Sequence, residues 1–527
     1  MTNNWIILFI VIPLIAGVVS VPLARKIYVQ RVIGVLSLLS LFIFSVVLLF
    51  SISDGTVLVS QMGGWPAPFG ITVVFDSLSG LLLAAASMVA LGCYVHSFSV
   101  LDPKIEDHYY HPLIQLLMFG VNQSFLTGDL FNLFVAFEIM LMASYGLISI
   151  GGSRRQLTQS YKYILLNLTA STVFVIAAGL VYGMMGTLNF ADLARIVAEK
   201  QEAGESLPKG FTPLSVMLLL VFGLKGAFFP MWFWLPDTYY TCPISIGGLF
   251  GGMLTKVGVY AVVRTFPLIF AVGEAGDVIK PIVAIAAAFT MFLGVLGAVS
   301  MHEVRRILSI HVISQVGYMV FGIALMTTAG LAGCLFYMIQ HMVVKSALFL
   351  CCGVMEKRAG SDDLNRIGGV LKRDVWLGVL FFIAAMSLVG LPPLSGFFGK
   401  LVIIQDGWND YWWLSMIGLL TGGLTLLSML KIWSYGYWHP PQGDHVAAMA
   451  AGDPKQKLPC AYIGIVLLVV TALFLGFAAE PVYQIAFNAG EQLTDPTAYI
   501  EAVNPQAFDP TKMANPVASL AETGGTP

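Results

Sequence analysis

Residues 127–146 read TGDLFNLFVAFEIMLMASYG, an apolar run of membrane-spanning length with Asp129 at its start and a second carboxylate, Glu138, near its middle. A hydrocarbon core about 30 Å thick needs roughly 20 apolar residues of helix to cross it. Glu138 follows Asp129 by nine residues, which at about 1.5 Å of rise per residue sets it roughly 13 Å deep. An ionisable group at that depth costs at least about 2.5 kcal/mol on insertion scales. The stretch therefore predicts a spanning helix whose acidic residue is there for function.

Working outward, the same ruler finds apolar segments near 4–24, 31–53, 72–98, 112–127, 130–150, 160–186, 212–236, 243–271, 279–301, 305–327, 330–355, 374–404, 411–438 and 460–480. The expected fold is an all-α integral membrane protein with about fourteen transmembrane helices. Composition agrees: 57% of the 527 residues are hydrophobic and 11% are charged, against about 25% charged in soluble domains. A net charge of −2 leaves no electrostatic footprint for nucleic acid. The six cysteines form no C-x-x-C pair and read as packing residues. The first apolar stretch has neither a basic leader nor a small-residue cleavage site and reads as a retained helix.

Basic residues are retained on the cytoplasmic side of a membrane. Alternate loops hold sixteen Lys and Arg, among them Arg25, Arg154, Arg155, Arg305, Arg306, Lys357 and Lys455, while the opposite loops and tail hold five: Arg195, Lys200, Lys209, Lys280 and Lys512. That asymmetry predicts both termini outside the cytoplasm, with an acidic tail over 481–527 (Glu491, Asp495, Glu501, Asp509, Glu522) on the outer face.

Two spans carry helix breakers. The seventh contains Pro230 and Pro236 in KGAFFPMWFWLP, and the twelfth contains Pro392 and Pro393 in VGLPPLSGFFGK. Proline removes a backbone donor and clashes with the preceding turn, and irregular backbone at membrane depth survives only where protein or a watery cavity satisfies it. The two breaks are five spans apart, so they cross in opposite directions, as in transporters built from inverted repeats. The expected organisation is N-terminal helices over 1–100, one five-helix repeat over 112–271, an inverted second over 279–438, and a last helix at 460–480.

The remaining buried charges fall at comparable depth. Lys225 precedes the first break and is the natural opposite charge for Glu138. Lys256 sits among Gly247, Gly248, Gly251 and Gly252, which permit close helix approach. His341 and Lys345 are four residues apart on one helical face, and histidine suits a relay because it titrates near neutrality. Lys400 follows the second break, with Asp406 and Asp410 beyond it. Together these six (Glu138, Lys225, Lys256, His341, Lys345, Lys400) predict a proton path running along the membrane plane. His311, Gln315 and Lys431 are candidate path-lining groups, although an ordinary interhelical hydrogen bond or helix-face charge explains them equally well. Arg264 reads as a side chain reaching the headgroups. His96, His108, His111 and His302, at span ends or in loops, read as solvated. No metal-ligand spacing, dinucleotide fingerprint or haem motif is present, so neither metal nor cofactor is expected.

The motifs TGDLFNLFVAFEIMLMASYG (127–146), LPDTYYTCPISIGGLFGGMLTKVGVY (235–260), RRILSIHVISQVGYM (305–319), IQHMVVKSALFL (339–350) and PPLSGFFGKL (392–401) together resemble the proton-translocating antiporter-like subunits shared by respiratory complex I, membrane-bound hydrogenases and multisubunit Mrp cation/proton antiporters. The FNLFVAFE, FGGMLTKVGVY and FFGKL forms look most like the D-type member of the Mrp set. That resemblance implies Glu138 and Lys225 as the pair gating proton uptake, Lys256 and His341 as the central connection, and Lys400 as the terminal carrier. It also implies other Mrp-type membrane subunits as partners, protons and Na+ (with Li+ or K+ as alternatives) as the transported ions, and the bacterial inner membrane as the site of action. The rival expectation is a proton-pumping module of a redox complex; TYYTCP (238–243) departs from the His-containing, Pro-richer form usual at that junction.

Overall fold

The computed structural model describes residues 3–52, 55–440 and 456–504, and over these the chain is largely helical. Its helices are α1 (Leu8–Ser20), α2 (Ile27–Ser51), α3 (Ser77–Val100), α4 (Tyr110–Leu126), α5 (Leu130–Ser149), α6 (Arg154–Met185), α7 (Phe190–Glu202), α8 (Phe211–Gly226), α9 (Leu235–Thr241) and α10 (Ile244–Thr265). They continue as α11 (Gly273–Ser300), α12 (Val304–Leu325), α13 (Thr328–Ala359), α14 (Val375–Val389), α15 (Ser395–Asp410), α16 (Trp412–Ile432), α17 (Pro459–Phe477), α18 (Ala479–Thr494) and α19 (Thr497–Val503). Among the described residues, eleven helical segments are long and apolar enough to cross a membrane, and two shorter apolar helices, Asn4–Ser20 and Val375–Val389, join them. The all-α membrane architecture matches the sequence expectation.

Burial sorts these helices into a centre and a rim. The apolar windows of α10, α12 and α13 are wholly buried, whereas α2 and α6 expose Leu36, Phe50, Leu168 and Ile176. Water would penalise such belts; hydrocarbon accepts them. Close approach in the centre depends on glycine. A Cβ at Gly258 of α10 would collide with the Gly226 nitrogen and lie 2.7 Å from the Lys225 carbonyl carbon, so this glycine seats α10 against the end of α8.

Both predicted breaks are present, and in each the freed backbone groups find protein partners, as burial requires. At the first, α8 ends at Ala227 in the left-handed region (φ 60°); the Trp234 indole donates to the Leu224 carbonyl (3.0 Å) and the Phe229 amide to Thr290 Oγ1 (2.9 Å). At the second, α14 ends at Gly390 (φ 92°), and the Lys400 ammonium donates to the carbonyls of Leu388 (2.9 Å) and Val389 (3.0 Å).

One face of the molecule carries structure that hydropathy does not register. Strands β1 (Leu58–Gln61) and β2 (Thr72–Phe75) pair antiparallel, Leu58 opposite Phe75. Helix α7 buries Phe190, Leu193 and Val197, and Asn189 caps it by accepting from the Ala191 and Asp192 amides. The stretch expected as an acidic tail from 481 is, as far as 503, helices α18 and α19 with Ala486, Leu493 and Tyr499 buried. Asn3 bonds to Val59 and Gln61 to Val503, so both described ends meet at the hairpin. Lys455, Lys512, Asp509 and Glu522 lie outside the described residues.

Three sequence readings are corrected here. Arg264 is buried and does not reach headgroups: its guanidinium meets Asp76 in two contacts of 2.6 and 2.8 Å and lies over the Tyr260 and Tyr499 rings. His111 is buried, with Nδ1 2.6 Å from the Tyr94 hydroxyl and Nε2 3.1 Å from Glu106. His96 is buried as well, held between α10 and α13.

Candidate functional site

Helices α5, α6 and α8 bring the first part of the row together. Lys225 Nζ donates to Ser171 Oγ at 3.3 Å, and the Ser171 hydroxyl donates in turn to the Glu138 carboxylate. The carboxylate and ammonium are thus joined through a hydroxyl and not by the direct pairing expected from the sequence. Lys225 also lies 5.0 Å from the centroid of the Phe137 ring, a cation–π contact that offsets part of its desolvation. Glu138 is half-buried and lies at the rim of the bundle, whereas Ser171 and Lys225 are buried.

The centre lies between α10 and α13. Lys256 Nζ donates to the Gly251 carbonyl at 2.7 Å and contacts Thr255 Oγ1 at 3.2 Å. His341 and Lys345 share one face of α13, both fully buried. Neither ring nitrogen of His341 and not the Lys345 ammonium meets a hydrogen-bonding protein group. Three such nitrogens in a dry interior carry a large desolvation cost unless water reaches them. Such groups suit transient proton occupancy better than a static contact.

The last part lies among α12, α13, α14, α15 and α16. The Lys400 ammonium, besides its two carbonyls, sits 4.6 Å from the Tyr318 ring centroid and 5.6 Å from that of Tyr337. Tyr337 faces His341 at 6.2 Å between ring centroids, and its hydroxyl donates to Gln315 Oε1. From Gln315 the polar contacts continue through Ser314 (2.9 Å) to His311 (3.2 Å) and then Ser428 (2.9 Å). His311 and Gln315 therefore join the Lys400 end of the row through tyrosine. Gln340, next to His341, donates to the Ser387 carbonyl and hydroxyl, both at 3.3 Å, tying the central helix to the second break. Lys431 stands apart: its ammonium donates to the Val299 (2.7 Å) and Met301 carbonyls at the end of α11, a cation on a helix C-terminus.

Pro230 precedes the short helical turn Met231–Trp234, and Pro392 and Pro393 lie between α14 and α15. Ser171, Tyr337 and Gln340 had no distinguishing mark in the sequence. Ser171 sits among Thr169 and Thr172, whose hydroxyls simply bond back to Leu165 and Leu168 of their own helix.

Known proteins share this fold and much of this sequence. Residues 127–425 match the family model described as NADH:quinone oxidoreductase/Mrp antiporter, transmembrane. The D-type subunit of the Na+/H+ antiporter of Alkalihalophilus pseudofirmus is 42% identical over 502 residues, covering 95% of this chain and 99% of that protein. A chain of the Mrp complex from Dietzia sp. superposes with a TM-score of 0.86 at 31% identity, over 94% of this chain and 98% of that one. A chain of respiratory complex I from Thermus thermophilus shares the fold, with a TM-score of 0.78 at 21% identity over 93% of this chain and all (100%) of that one. The chain therefore belongs to the NADH:quinone oxidoreductase/Mrp antiporter transmembrane family, in the branch of the D-type Na+/H+ antiporter subunits.

Proposed function

We propose that this chain is the proton-translocating subunit of a multisubunit Na+/H+ antiporter, a secondary transporter and not a catalytic enzyme. The observation that carries the reading is the set of ionisable groups held inside the bundle: Glu138, Ser171 and Lys225 linked by hydrogen bonds, His341 and Lys345 with no protein hydrogen-bond partner, Lys256 held by the Gly251 carbonyl, and Lys400 held at the second break. Glu138 and Lys225 act as the gate. With Ser171 between them the lysine stays charged; when the link opens, Lys225 loses that support and passes its proton towards Lys256, Lys345 and His341. Lys400 receives it and discharges it beyond the second break, on the side of Asp406 and Asp410. His311 and Gln315 line this end of the path, and Lys431 serves as a helix cap.

The breaks at Pro230 and at Pro392 and Pro393 stand in two inverted five-helix repeats, 112–271 and 279–438, after helices over 1–100 and before the helix at 460–480. The loop bearing Arg154 and Arg155 and the loop bearing Arg305 face the cytoplasm of a bacterial inner membrane, and the hairpin with both chain ends faces outward. Partners are other Mrp-type membrane subunits, and the half-buried Glu138 at the rim is placed to meet one of them. Na+ is the exchanged cation, with no site assigned in this chain, because the row offers lysine where a cation needs clustered oxygen ligands.

In vesicles carrying the assembled complex, Glu138→Ala or Lys225→Ala abolishes Na+-dependent proton movement while the complex still copurifies. Antiport at normal rates from either variant removes the proposal. A redox-driven pump module is the second reading, favoured by the shared fold with complex I. Copurification of iron–sulfur or flavin subunits would establish it in place of the first.

A further inference from the structure

The path just proposed has a gate and an exit but no described access from the basic-loop face. On that face a cavity of about 500 Å³ opens among Asp102, Gln156, Ser245, Arg305, Gly353 and Glu356. Ser245, in the first turn of α10, lines the cavity, and its hydroxyl is 2.8 Å from Nδ1 of the fully buried His96 on α3. Nε2 of the same ring is 3.2 Å from the Leu350 carbonyl on α13. A carbonyl can only accept, so Nε2 carries the hydrogen and Nδ1 accepts from Ser245. The imidazole thus presents its basic nitrogen to the cavity and its proton-bearing nitrogen to the central helix.

Beside Ser245, Ile244 and Gly353 also stand between the ring and the cavity. A Cβ at Gly353 would lie 2.7 Å from Ile244 Cγ2 and 3.2 Å from His96 Cε1, so the absence of a side chain there lets Ile244 and the imidazole pack directly against the cavity wall. On the far side α17 closes in, a Cβ at Gly464 lying 3.0 Å from His96 Cβ. One turn deeper on α3, Cys93 faces Gly248, whose carbonyl accepts from Ser346 at 2.9 Å. Ser346 directly follows Lys345, and Lys256 donates to the Gly251 carbonyl in the same seam. The ionisable groups nearest the port are Cys93 on the same helix as His96 and the Arg305–Glu356 pair at the cavity, with Lys345 and Lys256 further along α13 and α10.

We infer that His96 and Ser245 form the port through which protons from the cytoplasmic cavity reach Lys256 and Lys345. A proton arriving by Ser245 binds Nδ1, the Nε2 proton passes along the α10–α13 seam to a neutral amine of Lys345 or Lys256, and return of the ring to its first tautomer resets the port with no net change in the imidazole. This inference rests on the function proposed above.

The test uses the assembled complex in inverted vesicles. His96→Gln keeps an acceptor for Ser245 and a donor for Leu350 but cannot exchange protons between two nitrogens. Antiport falls by at least about tenfold, in line with the loss of a general acid–base group, while the complex assembles normally. In a Cys242→Ser background, Ser245→Cys is blocked by a membrane-impermeant thiol reagent applied at the basic-loop face and not from the other face. Wild-type antiport from His96→Gln, or inactivation of Ser245→Cys only from the opposite face, overturns the port. Lys225→Ala is run in parallel: if it alone abolishes antiport the port falls and the transport function stands, whereas if it too is fully active, that function falls.

Discussion

Replacing Ser171 by Ala removes a single hydroxyl, yet that oxygen accepts from Lys225 and donates to Glu138. Both partners are charged, and a hydrogen bond to a charged group is worth about 1.5–3 kcal/mol. With about 1.4 kcal/mol per factor of ten, loss of one such link weakens the coupling between gate residues by roughly ten- to a hundredfold. Ser171 is buried and small, so Ala fills the same space and packing contributes little. The expected result is Na+-dependent proton movement slowed by about tenfold or more at unchanged complex yield, with Ser171→Thr, which restores a hydroxyl, closer to wild type. Initial rates of ΔpH dissipation in inverted vesicles measure it. Equal rates for wild type and the Ala variant, at equal amounts of complex, would refute the bridged gate and leave Glu138 and Lys225 acting independently.

Arg264→Leu strands the Asp76 carboxylate in a buried site at the hairpin end of α3, and breaking such a pair costs about 3–5 kcal/mol. The variant shows earlier thermal unfolding in detergent, and the double change with Asp76→Asn recovers part of the loss. Lys431→Ala, which removes a donor from the Val299 and Met301 carbonyls, costs about 1 kcal/mol of stability or less and leaves antiport near wild type; a deep loss of transport would return Lys431 to the path. Asp362, in the loop after α13, is pushed up to about 6 from 3.8 by burial and by the nearby Glu356 carboxylate, against the pull of Arg305. Its ionised form is the disfavoured one in the folded state, so stability is lost as pH rises from about 3.8 to about 6 and the loss is complete above that. Asp362→Asn therefore melts higher than wild type at pH 8, and the gap closes as pH falls towards 4.

What the residues disclosed depended on how far apart the interacting groups lie. Mid-span charges such as Glu138 and Lys256 stand out against an apolar background, and proline announces a break wherever it occurs, so the row and both interruptions are readable. Partners drawn from distant helices are not. Asp76 and Arg264 are 188 positions apart, and a window scan sees one as an acid near the start of the 72–98 segment and the other as a helix-end cation. His96 reads as solvated because it lies four residues from the end of α3, yet α10 and α13 cover it. The hairpin escapes because its four-residue strands are too short for a periodic signal, and α7 because its charged face keeps mean hydropathy low.

The carbonyls of Leu388 and Val389 give the second break a consequence for the solvent. They are freed by the end of α14 and satisfied by the Lys400 ammonium. A neutral amine keeps two N–H donors, one for each carbonyl, but each discharge of Lys400 strips these bonds of the charge that makes them strong. Proton release there is therefore expected to loosen the second break, admitting water as the charge departs and closing again as it returns. Turnover should accordingly slow under osmotic stress, as in a pump whose stroke includes a gulp of solvent.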